Sequence, residues 1–259
     1  AKKYGIKNLK KIYLTSNYLK ISSSNVFIIT VPTPVNNKNK PDLTLLKRAT
    51  TFVAKNLKSE DMVIFESTVF PNTTENICVP ILKKYSGLIY KNNKNEKFIK
   101  DNFFYCGYSP ERINPGDTKH TLKNITKIIS GSTNFATNQI RKLYKDICNN
   151  VFTAKSIKVA EAAKIIENTQ RDVNIALINE FQSIFNKLKI NVYDILKAAE
   201  TKWNFVKFEP GFVGGHCVGV DPYYLAHCSV INGHNPKLIL AGRNINNNVP
   251  RDFYLRIRK

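Results

Sequence analysis

Acidic residues are scarce in this 259-residue sequence. Asp and Glu number 19 against 40 Lys and Arg, which gives a formal net charge of +21 at pH 7. A positive field of this size can attract nucleic acid or small anions such as nucleotides. The lysines are scattered among many Asn and Ile residues, however, and no basic stripe with interleaved aromatics is present. We attribute the charge to compositional bias and expect no nucleic-acid partner, keeping a basic nucleic-acid-binding protein as an alternative.

Long hydrophobic runs are absent as well. No segment approaches the roughly 18 uncharged apolar residues that a membrane-spanning helix needs, so we expect no association with a membrane. The first residues also lack the basic, apolar and small-residue order of a secretory signal peptide. We therefore expect a cytoplasmic protein.

Paired cysteines are missing too. The five cysteines are odd in number and far apart, and no CxxC pair occurs. This pattern is typical of free thiols in a reducing compartment rather than of a disulfide framework. The His216-Cys217 and His227-Cys228 pairs match no common zinc module. We expect no metal site.

Short β-branched runs alternate with helical patterns over the first 150 residues. Predicted strands occupy 25–31, 62–65, 103–107 and 125–130, and predicted helices occupy 42–57, 74–85 and 134–148. Alternation of this kind favours a parallel sheet with helices on both faces. We predict an α/β fold whose first domain, residues 1–155, is a doubly wound parallel sheet.

The rest of the chain is predicted to be helical. Between Ser156 and about Lys189 there is no Gly or Pro, and the apolar residues keep helical spacing. Ser156 is a good N-cap for this long helix. Shorter helices are predicted at 192–200, 222–233 and 236–246. We predict an all-helical second domain, residues 156–259, connected to the sheet by the long helix.

Polar residues and prolines follow three of the predicted strands. The segments are Val31-Pro32-Thr33-Pro34, Glu66-Ser67-Thr68-Val69 and Tyr108-Ser109-Pro110-Glu111-Arg112. In an open α/β sheet, ligands bind in the crevice beyond the carboxyl ends of the strands. Prolines also stop strands and Ser or Thr cap helices, so each segment alone has an ordinary explanation. Three such ends together predict a ligand site at this edge.

Lys164 and Asn168 lie four residues apart on the long helix and therefore share a face. Solvated surface residues are the usual explanation for such a pair. Ala160, Ala163 and Ile165 surround Lys164, however, and a partly desolvated lysine is suited to proton transfer. We predict a functional pair.

A glycine-rich segment at 210–222 carries the strongest local signal. Its four glycines, Gly211, Gly214, Gly215 and Gly219, allow the backbone to approach a ligand closely. Asp221 and Pro222 are predicted as the N-cap and first residue of the next helix. Cys217 precedes that helix, whose N-terminal dipole favours a thiolate. Cys217 is thus predicted to be reactive, although buried structural cysteines are more common.

Six ordered motifs over nearly the whole chain resemble those of the UDP-glucose/GDP-mannose dehydrogenase family, in the branch that oxidises UDP-N-acetylhexosamines. They are VPTPV at 31–35, ESTVFP at 66–71, GYSPERINPGD at 107–117, KVAEAAKIIENTQRDVNIALINE at 158–180, KWNF at 202–205 and GFVGGHCVGVDPYYL at 211–225. The resemblance implies a partial Rossmann-like domain followed by a central helical domain. The GxGxxG sequence that binds the pyrophosphate of a dinucleotide in such folds does not occur. We therefore expect a piece of a longer polypeptide.

The resemblance also implies a role for each motif residue. Cys217 is the implied nucleophile, Lys164, Asn168 and Asp221 the implied group that holds water and manages the proton and oxyanion, and Glu111 the implied carboxylate of thioester hydrolysis. Thr68 would help to position water. The implied NAD-binding residues are Val31, Pro32, Thr33, Pro34, Val35, Ser67 and Thr68. The implied substrate-binding residues are Glu111, Arg112, Lys164, Asn168, Phe208, Gly211, Phe212, Gly214 and Gly215.

The activity implied by the resemblance is a twofold oxidation of the C6 alcohol of a UDP-hexosamine to a uronic acid. NAD accepts the hydrides, and the second oxidation passes through a cysteine thioester. The expected use is surface-polysaccharide biosynthesis by a homodimer formed through the helical domain. UDP-glucose as the substrate, or a non-catalytic piece of this family, are the alternatives.

Overall fold

Residues 13–113, 117–214 and 218–258 are described by the computed structural model, and within them six strands form one sheet. The strands are β1 Val26–Ile29, β2 Met62–Phe65, β3 Ile89–Tyr90, β4 Phe103–Tyr108, β5 Thr126–Gly131 and β6 Asn150–Thr153. Their order is β1-β2-β4-β5-β6, and β3 pairs with the start of β4. All pairs are parallel except β4 with β5, which run antiparallel through Gly107 opposite Gly131 and Tyr108 opposite Ser130.

Seven α-helices accompany the sheet in the described part of the chain. They are α1 Thr44–Ala54, α2 Val79–Ser86, α3 Asn134–Lys145, α4 Ile157–Lys187, α5 Val192–Ala199, α6 Asp221–Ile231 and α7 Lys237–Ile257. A π-helical turn, Thr74–Cys78, leads directly into α2. None of these helices is long and apolar enough to cross a membrane.

Strand β2 shows why both faces of the sheet are covered. Successive side chains of a strand point to opposite faces, and all four residues of β2 are buried. Val63 and Phe65 belong to the larger core, with residues of α1, α2 and α4. Met62 and Ile64 belong to the smaller core, with residues of α3. Full burial of such a side chain contributes roughly 1.5–3 kcal/mol, so the uninterrupted apolar run places β2 in the interior. The predicted α/β class with two-sided coverage is confirmed.

Helix α4 joins the sheet to the helical region. Ser156 has an extended backbone, and its side chain accepts a hydrogen bond from the amide of Val159, as predicted for the N-cap. Ile157, Ala160 and Ile165 in the first part of α4 belong to the core beside the sheet. The remainder of α4 packs against α7 and α6. The division at residue 155 stays a prediction.

Two strands were missed, and two helix boundaries were predicted wrongly. Strands β3 and β6 had not been predicted, since β3 has only two residues and β6 is only partly buried. Helix α7 continues through Pro250 to Ile257 instead of ending near 246. Helix α6 begins at Asp221 with Val220 as its N-cap, so Asp221 is the first helical residue rather than the cap.

Candidate active site

A cavity of about 760 Å³ lies at the carboxyl ends of β1, β2 and β4 and at the start of α6. Its lining comes from the three strand ends that the sequence singled out, together with the first turn of α6. The lining residues are Thr30, Val31, Pro32, Thr33, Pro34, Glu66, Ser67, Thr68, Glu111, Val220 and Asp221. The three strand ends meet because parallel strands end at one edge of the sheet. The start of α6 joins them there, so that Thr30 and Asp221, 191 positions apart in sequence, line the same cavity.

Hydrogen bonds from side-chain hydroxyl groups connect the segments that follow β1 and β2. Ser67 Oγ donates to the carbonyl oxygen of Val31 at 2.7 Å, and Thr33 Oγ1 donates to the carbonyl oxygen of Thr68 at 2.7 Å. Tyr224 of α6 donates its hydroxyl to the carbonyl oxygen of Thr33 at 2.9 Å. The Thr68 hydroxyl makes no hydrogen bond to any described residue and remains available to a ligand. Val35 lies outside the cavity, where it forms a β-bridge with Pro41.

Three buried polar residues from two helices meet beside the cavity. Asn168 Nδ2 of α4 donates to Asp221 Oδ2 of α6 at 2.5 Å, and Lys164 lies one turn before Asn168. Burial raises the pKa of Asp221, while the Asn168 hydrogen bond and the positive charge of Lys164 act in the opposite direction. Lys164 is only 8% exposed and has no hydrogen-bond or ion-pair partner in the described part of the chain. The Lys164 ammonium is therefore available to donate hydrogen bonds to a substrate or to water.

Glu111 follows β4 and lines the same cavity. Its Oε1 accepts hydrogen bonds from the amides of Arg112 and Ile113, both at 2.6 Å. The side chain is otherwise exposed. One carboxylate oxygen is therefore held by the main chain, and the other is free to bind water.

Arg112 and Phe208, both predicted to bind substrate, line a second cavity of about 590 Å³. Arg112 pairs with Glu167 of α4 at 2.7 Å, and it donates to the carbonyl oxygen of Thr126 at 2.8 Å. The other lining residues include Arg171 and His120. Of the predicted substrate residues, Glu111 thus lines the first cavity, whereas Arg112 and Phe208 line the second.

The glycine-rich segment is held at its start by Asn179 of α4. Asn179 Oδ1 accepts from the amide of Gly211 at 2.9 Å, and its Nδ2 donates to the carbonyl oxygen of Gly211 at 3.0 Å. Phe212 packs edge-on against Phe253 of α7, with 5.5 Å between the ring centroids. Gly214 is exposed. Gly215 and Cys217 lie outside the described residues.

The four cysteines in the described ranges are poorly suited to act as nucleophiles. Burial raises the pKa of Cys78 to about 12 and that of Cys106 well above its usual value. Burial also raises the pKa of Cys148 and of Cys228. The thiolate is the nucleophilic form of cysteine, so these four groups are chiefly protonated near neutral pH.

Two buried charged residues near the site were not predicted. Lys127 of β5 pairs at 3.0 Å with Glu66, which lines the cavity. Glu161 of α4 accepts hydrogen bonds from the amides of Asn72 and Thr74 at 2.7 and 2.8 Å. A signal for Lys127 existed, since a lysine inside the apolar run of a predicted strand indicates a buried ion pair.

Comparison with protein families gives two matches along the chain. Residues 4–148 match the NAD binding domain of the UDP-glucose/GDP-mannose dehydrogenase family, and residues 158–248 match the central domain of the same family. The chain belongs to this family. The resemblance drawn from the six motifs is therefore confirmed, as is the Rossmann-type fold with a helical central region.

Individual members of the family are about half identical in sequence to this chain over the aligned residues. The chain is 51% identical over 242 residues to UDP-N-acetyl-D-glucosamine 6-dehydrogenase of Pseudomonas aeruginosa, and 52% identical over 241 residues to protein CapL of Staphylococcus aureus. These alignments cover 93% of the chain, but only 55% and 54% of the two relatives. The structure of the UDP-D-ManNAc dehydrogenase from Pyrococcus horikoshii superposes with a TM-score of 0.82 at 35% identity, over 94% of this chain and 55% of the other. The chain therefore spans about half the length of its family relatives.

Proposed function

We propose that this chain carries the substrate-oxidising part of an NAD-dependent UDP-N-acetylhexosamine 6-dehydrogenase. The observation that supports it most is the 760 Å³ cavity, which is lined by two carboxylates, Glu111 and Asp221, together with the hydroxyl group of Thr68. The family membership and the relatives named for UDP-N-acetyl-D-glucosamine favour this substrate class over UDP-glucose. The reaction would occur in the cytoplasm and provide uronic acids for surface polysaccharides.

The cavity wall fits the nicotinamide end of NAD. Main chain and small side chains from 30–34 and from Ser67 and Thr68 form a largely apolar wall beside polar groups, as a flat amide-bearing ring requires. When bound, NAD+ accepts the hydride that leaves C6 in each oxidation. The sequence offers no GxGxxG loop for the pyrophosphate, so the described residues would hold only one end of the dinucleotide.

Lys164, Asn168 and Asp221 would handle protons and negative charge. In the first oxidation, a water held by Asn168 and Asp221 takes the hydroxyl proton while C6 loses a hydride. The ammonium of Lys164 stabilises the negative charge on the C6 oxygen. The hydrogen bond between Asn168 and Asp221 supports this role, because it orients both polar ends.

Cys217 and Glu111 would carry the second half of the reaction. The Cys217 thiolate adds to the aldehyde carbon, and loss of a second hydride from that carbon leaves a thioester. Glu111 removes a proton from water, whose oxygen bonds to the thioester carbon. The carbon–sulfur bond then breaks, which releases the acid and restores the thiolate. The raised pKa values of the other four cysteines support Cys217 as the nucleophile.

A test of this function uses the full reading frame that encodes this chain. NADH release is measured against a panel of UDP-N-acetylglucosamine, UDP-N-acetylgalactosamine and UDP-glucose, with the Cys217→Ser variant as the matched control. We expect turnover with an N-acetylhexosamine and loss of acid formation in the variant, because a serine hydroxyl without a dedicated base is a poor nucleophile. Binding of the UDP-sugar should change by no more than a few-fold. Acid formation by the variant at the wild-type rate would refute the role of Cys217.

We also propose that two copies associate through the helical region. Val159 and Ile166 of α4 are 43% and 56% exposed and, with Pro71, Ala162 and Ala163, form an apolar recess of about 430 Å³. A second copy would cover this surface and remove it from water. Sedimentation velocity tests the proposal, and a single copy at micromolar concentration would contradict it.

A further inference from the structure

Lys127 occupies an unusual position for a lysine. It lies in β5 between Thr126 and Ile128, and its side chain is 1% exposed. Burying an ammonium costs several kcal/mol unless it is paired and hydrogen-bonded. The partners of this ammonium therefore indicate what it does.

Three acceptors surround the ammonium, one for each of its N–H bonds. Lys127 Nζ lies 3.0 Å from Glu66 Oε1, 3.3 Å from the carbonyl oxygen of Ser109 and 3.1 Å from that of Pro110. The hydroxyl of Tyr144 donates to the same Glu66 oxygen. The Tyr144 ring centroid lies 5.0 Å from Nζ, which adds a cation–π contact.

The three acceptors lie in or beside the cavity lining, and Glu66 is itself a lining residue. Ser109 and Pro110 come immediately before Glu111, and Glu66 comes immediately before Ser67. Ser109 Oγ also donates to the carbonyl oxygen of Ile128 at 2.8 Å, so the same segment is fastened twice to β5. Lys127 therefore joins the end of β2 to the end of β4 from behind the cavity.

We infer that Lys127 is a positioning residue for Glu111. It holds the main chain of Ser109 and Pro110 so that the Glu111 carboxylate stays on the cavity wall. This inference rests on the proposed function, in which Glu111 acts only in thioester hydrolysis. Loss of the ammonium should therefore impair hydrolysis more than the oxidation steps, whose proton-handling groups Lys164, Asn168 and Asp221 lie on α4 and α6.

The first test compares reaction phases in the Lys127→Met variant of the full reading frame. Methionine fills a similar volume without the charge. We expect a burst of NADH close to the wild-type amplitude, followed by steady-state turnover reduced on the order of 10²-fold, the loss that a misplacement of about 1 Å produces. Intact-protein mass spectrometry should detect the sugar nucleotide attached to Cys217. Equal loss of burst and turnover would overturn the inference.

Two further variants provide controls. Tyr144→Phe removes one bond to Glu66 but leaves all three bonds of Lys127, and we expect turnover within a few-fold of wild type without an adduct. Ser109→Ala removes the hydrogen bond from Ser109 Oγ to the carbonyl oxygen of Ile128. This variant should accumulate some of the sugar-nucleotide adduct on Cys217 even if Lys127→Met does not fold. Absence of adduct from both Ser109→Ala and Lys127→Met would also overturn the inference.

Hydrogen exchange supplies a measurement that does not depend on activity. In Lys127→Met, the amides of Glu111, Arg112 and Ile113 should exchange faster than in wild type, while those of β2 stay protected. If no UDP-sugar yields NADH with the wild type, the proposed function fails, whereas this exchange result still decides whether Lys127 fastens the segment. Unchanged exchange at 111–113 would show that it does not.

Discussion

At the scale of single residues, the site separates two kinds of carboxylate. Asp221 is buried and bonded to Asn168, and burial raises its pKa. Glu111 is exposed and receives two main-chain amides. A buried carboxylate bonded to an amide is suited to hold a water that relays a proton, and an exposed carboxylate with one free oxygen is suited to contact water directly. The two environments therefore support different steps of one reaction.

The variants Lys164→Ala and Glu111→Gln should consequently slow different steps of the reaction. Lys164→Ala removes the ammonium that we propose to stabilise the C6 oxygen, so the NADH burst itself should slow by roughly 10²-fold or more. Glu111→Gln removes the proposed base for water, so the burst should persist while a thioester on Cys217 accumulates. Rapid-mixing absorbance and intact-protein mass spectrometry measure the two effects. Normal turnover of Glu111→Gln without an adduct would exclude its hydrolytic role.

The residues at the site differed in how well the sequence predicted them. The strand-end segments stand out because Pro, Ser and Thr follow apolar runs, and the cavity contains most of them. Arg112 and Phe208 fall on a separate cavity, because sequence order does not reveal on which side of a strand end each successive side chain lies. Glu161 was missed because its partners are more than 80 positions away in sequence, and Lys127 because its ion-pair partner Glu66 is 61 positions away.

At the scale of elements, helix α4 acts as a cap for a turn of the sheet domain. Glu161 is fully buried, and its two oxygens accept the amides of Asn72 and Thr74, at the start of the π-helical turn. Asn72 itself has φ of 71°, a conformation that asparagine tolerates better than most residues. A carboxylate at a helix start satisfies amides that lack helical partners. The contact fixes the turn after Ser67 and Thr68 against the helix that carries Lys164.

This contact predicts a pH dependence of stability. Burial raises the pKa of Glu161 to about 7 from an ordinary value of 4.5, against the opposing effect of the bonds from Thr74 and Asn72. The folded state thus binds the proton more tightly than the unfolded state. The associated stabilisation is complete below about pH 4.5 and is lost as the pH rises through about 7, by on the order of 3 kcal/mol.

Urea unfolding of wild type, Glu161→Gln and Glu180→Gln between pH 4 and pH 8 tests the prediction. Glu180 is an exposed residue of the same helix and serves as the matched control. The free energy of unfolding of wild type should fall relative to Glu161→Gln as the pH rises, and wild type and Glu180→Gln should follow each other. Parallel curves for all three proteins would show that Glu161 does not titrate in this range.

Most elements could be predicted because their signals are local. The apolar run of β2 and the Gly- and Pro-free length of α4 identify a buried strand and a long helix without tertiary information. The antiparallel pairing of β4 with β5 depends on the path of the chain between them, which periodicity does not reveal. The continuation of α7 through Pro250 has no local signal, because proline cannot make one helical hydrogen bond; beyond it, Phe253 packs edge-on against Phe212.

At the scale of the whole molecule, β1 lies at an edge of the described sheet. It pairs only with β2 among the described residues, and its outward side chains Val26 and Ile28 are 44% and 45% exposed. Unpaired edges with apolar side chains promote association between chains. The chain also spans only about 55% of the length of its relatives and contains no GxGxxG loop. The exposed edge at β1 and the missing GxGxxG loop both concern the part of the fold that would hold the pyrophosphate of NAD.

These features lead to a prediction for the 259-residue polypeptide produced alone. We expect no measurable dehydrogenase activity, NAD+ binding too weak for calorimetry at micromolar protein, and a tendency to aggregate, because the sequence contains no GxGxxG loop for the pyrophosphate. Residues from Ser156 onward should be the most resistant to proteolysis, since α4, α6 and α7 pack on one another. The longer reading frame, assayed in parallel with the same UDP-sugars, is the matched control. A tight NAD+ complex or steady NADH production by the isolated chain would show that residues 1–259 already provide a complete dinucleotide site.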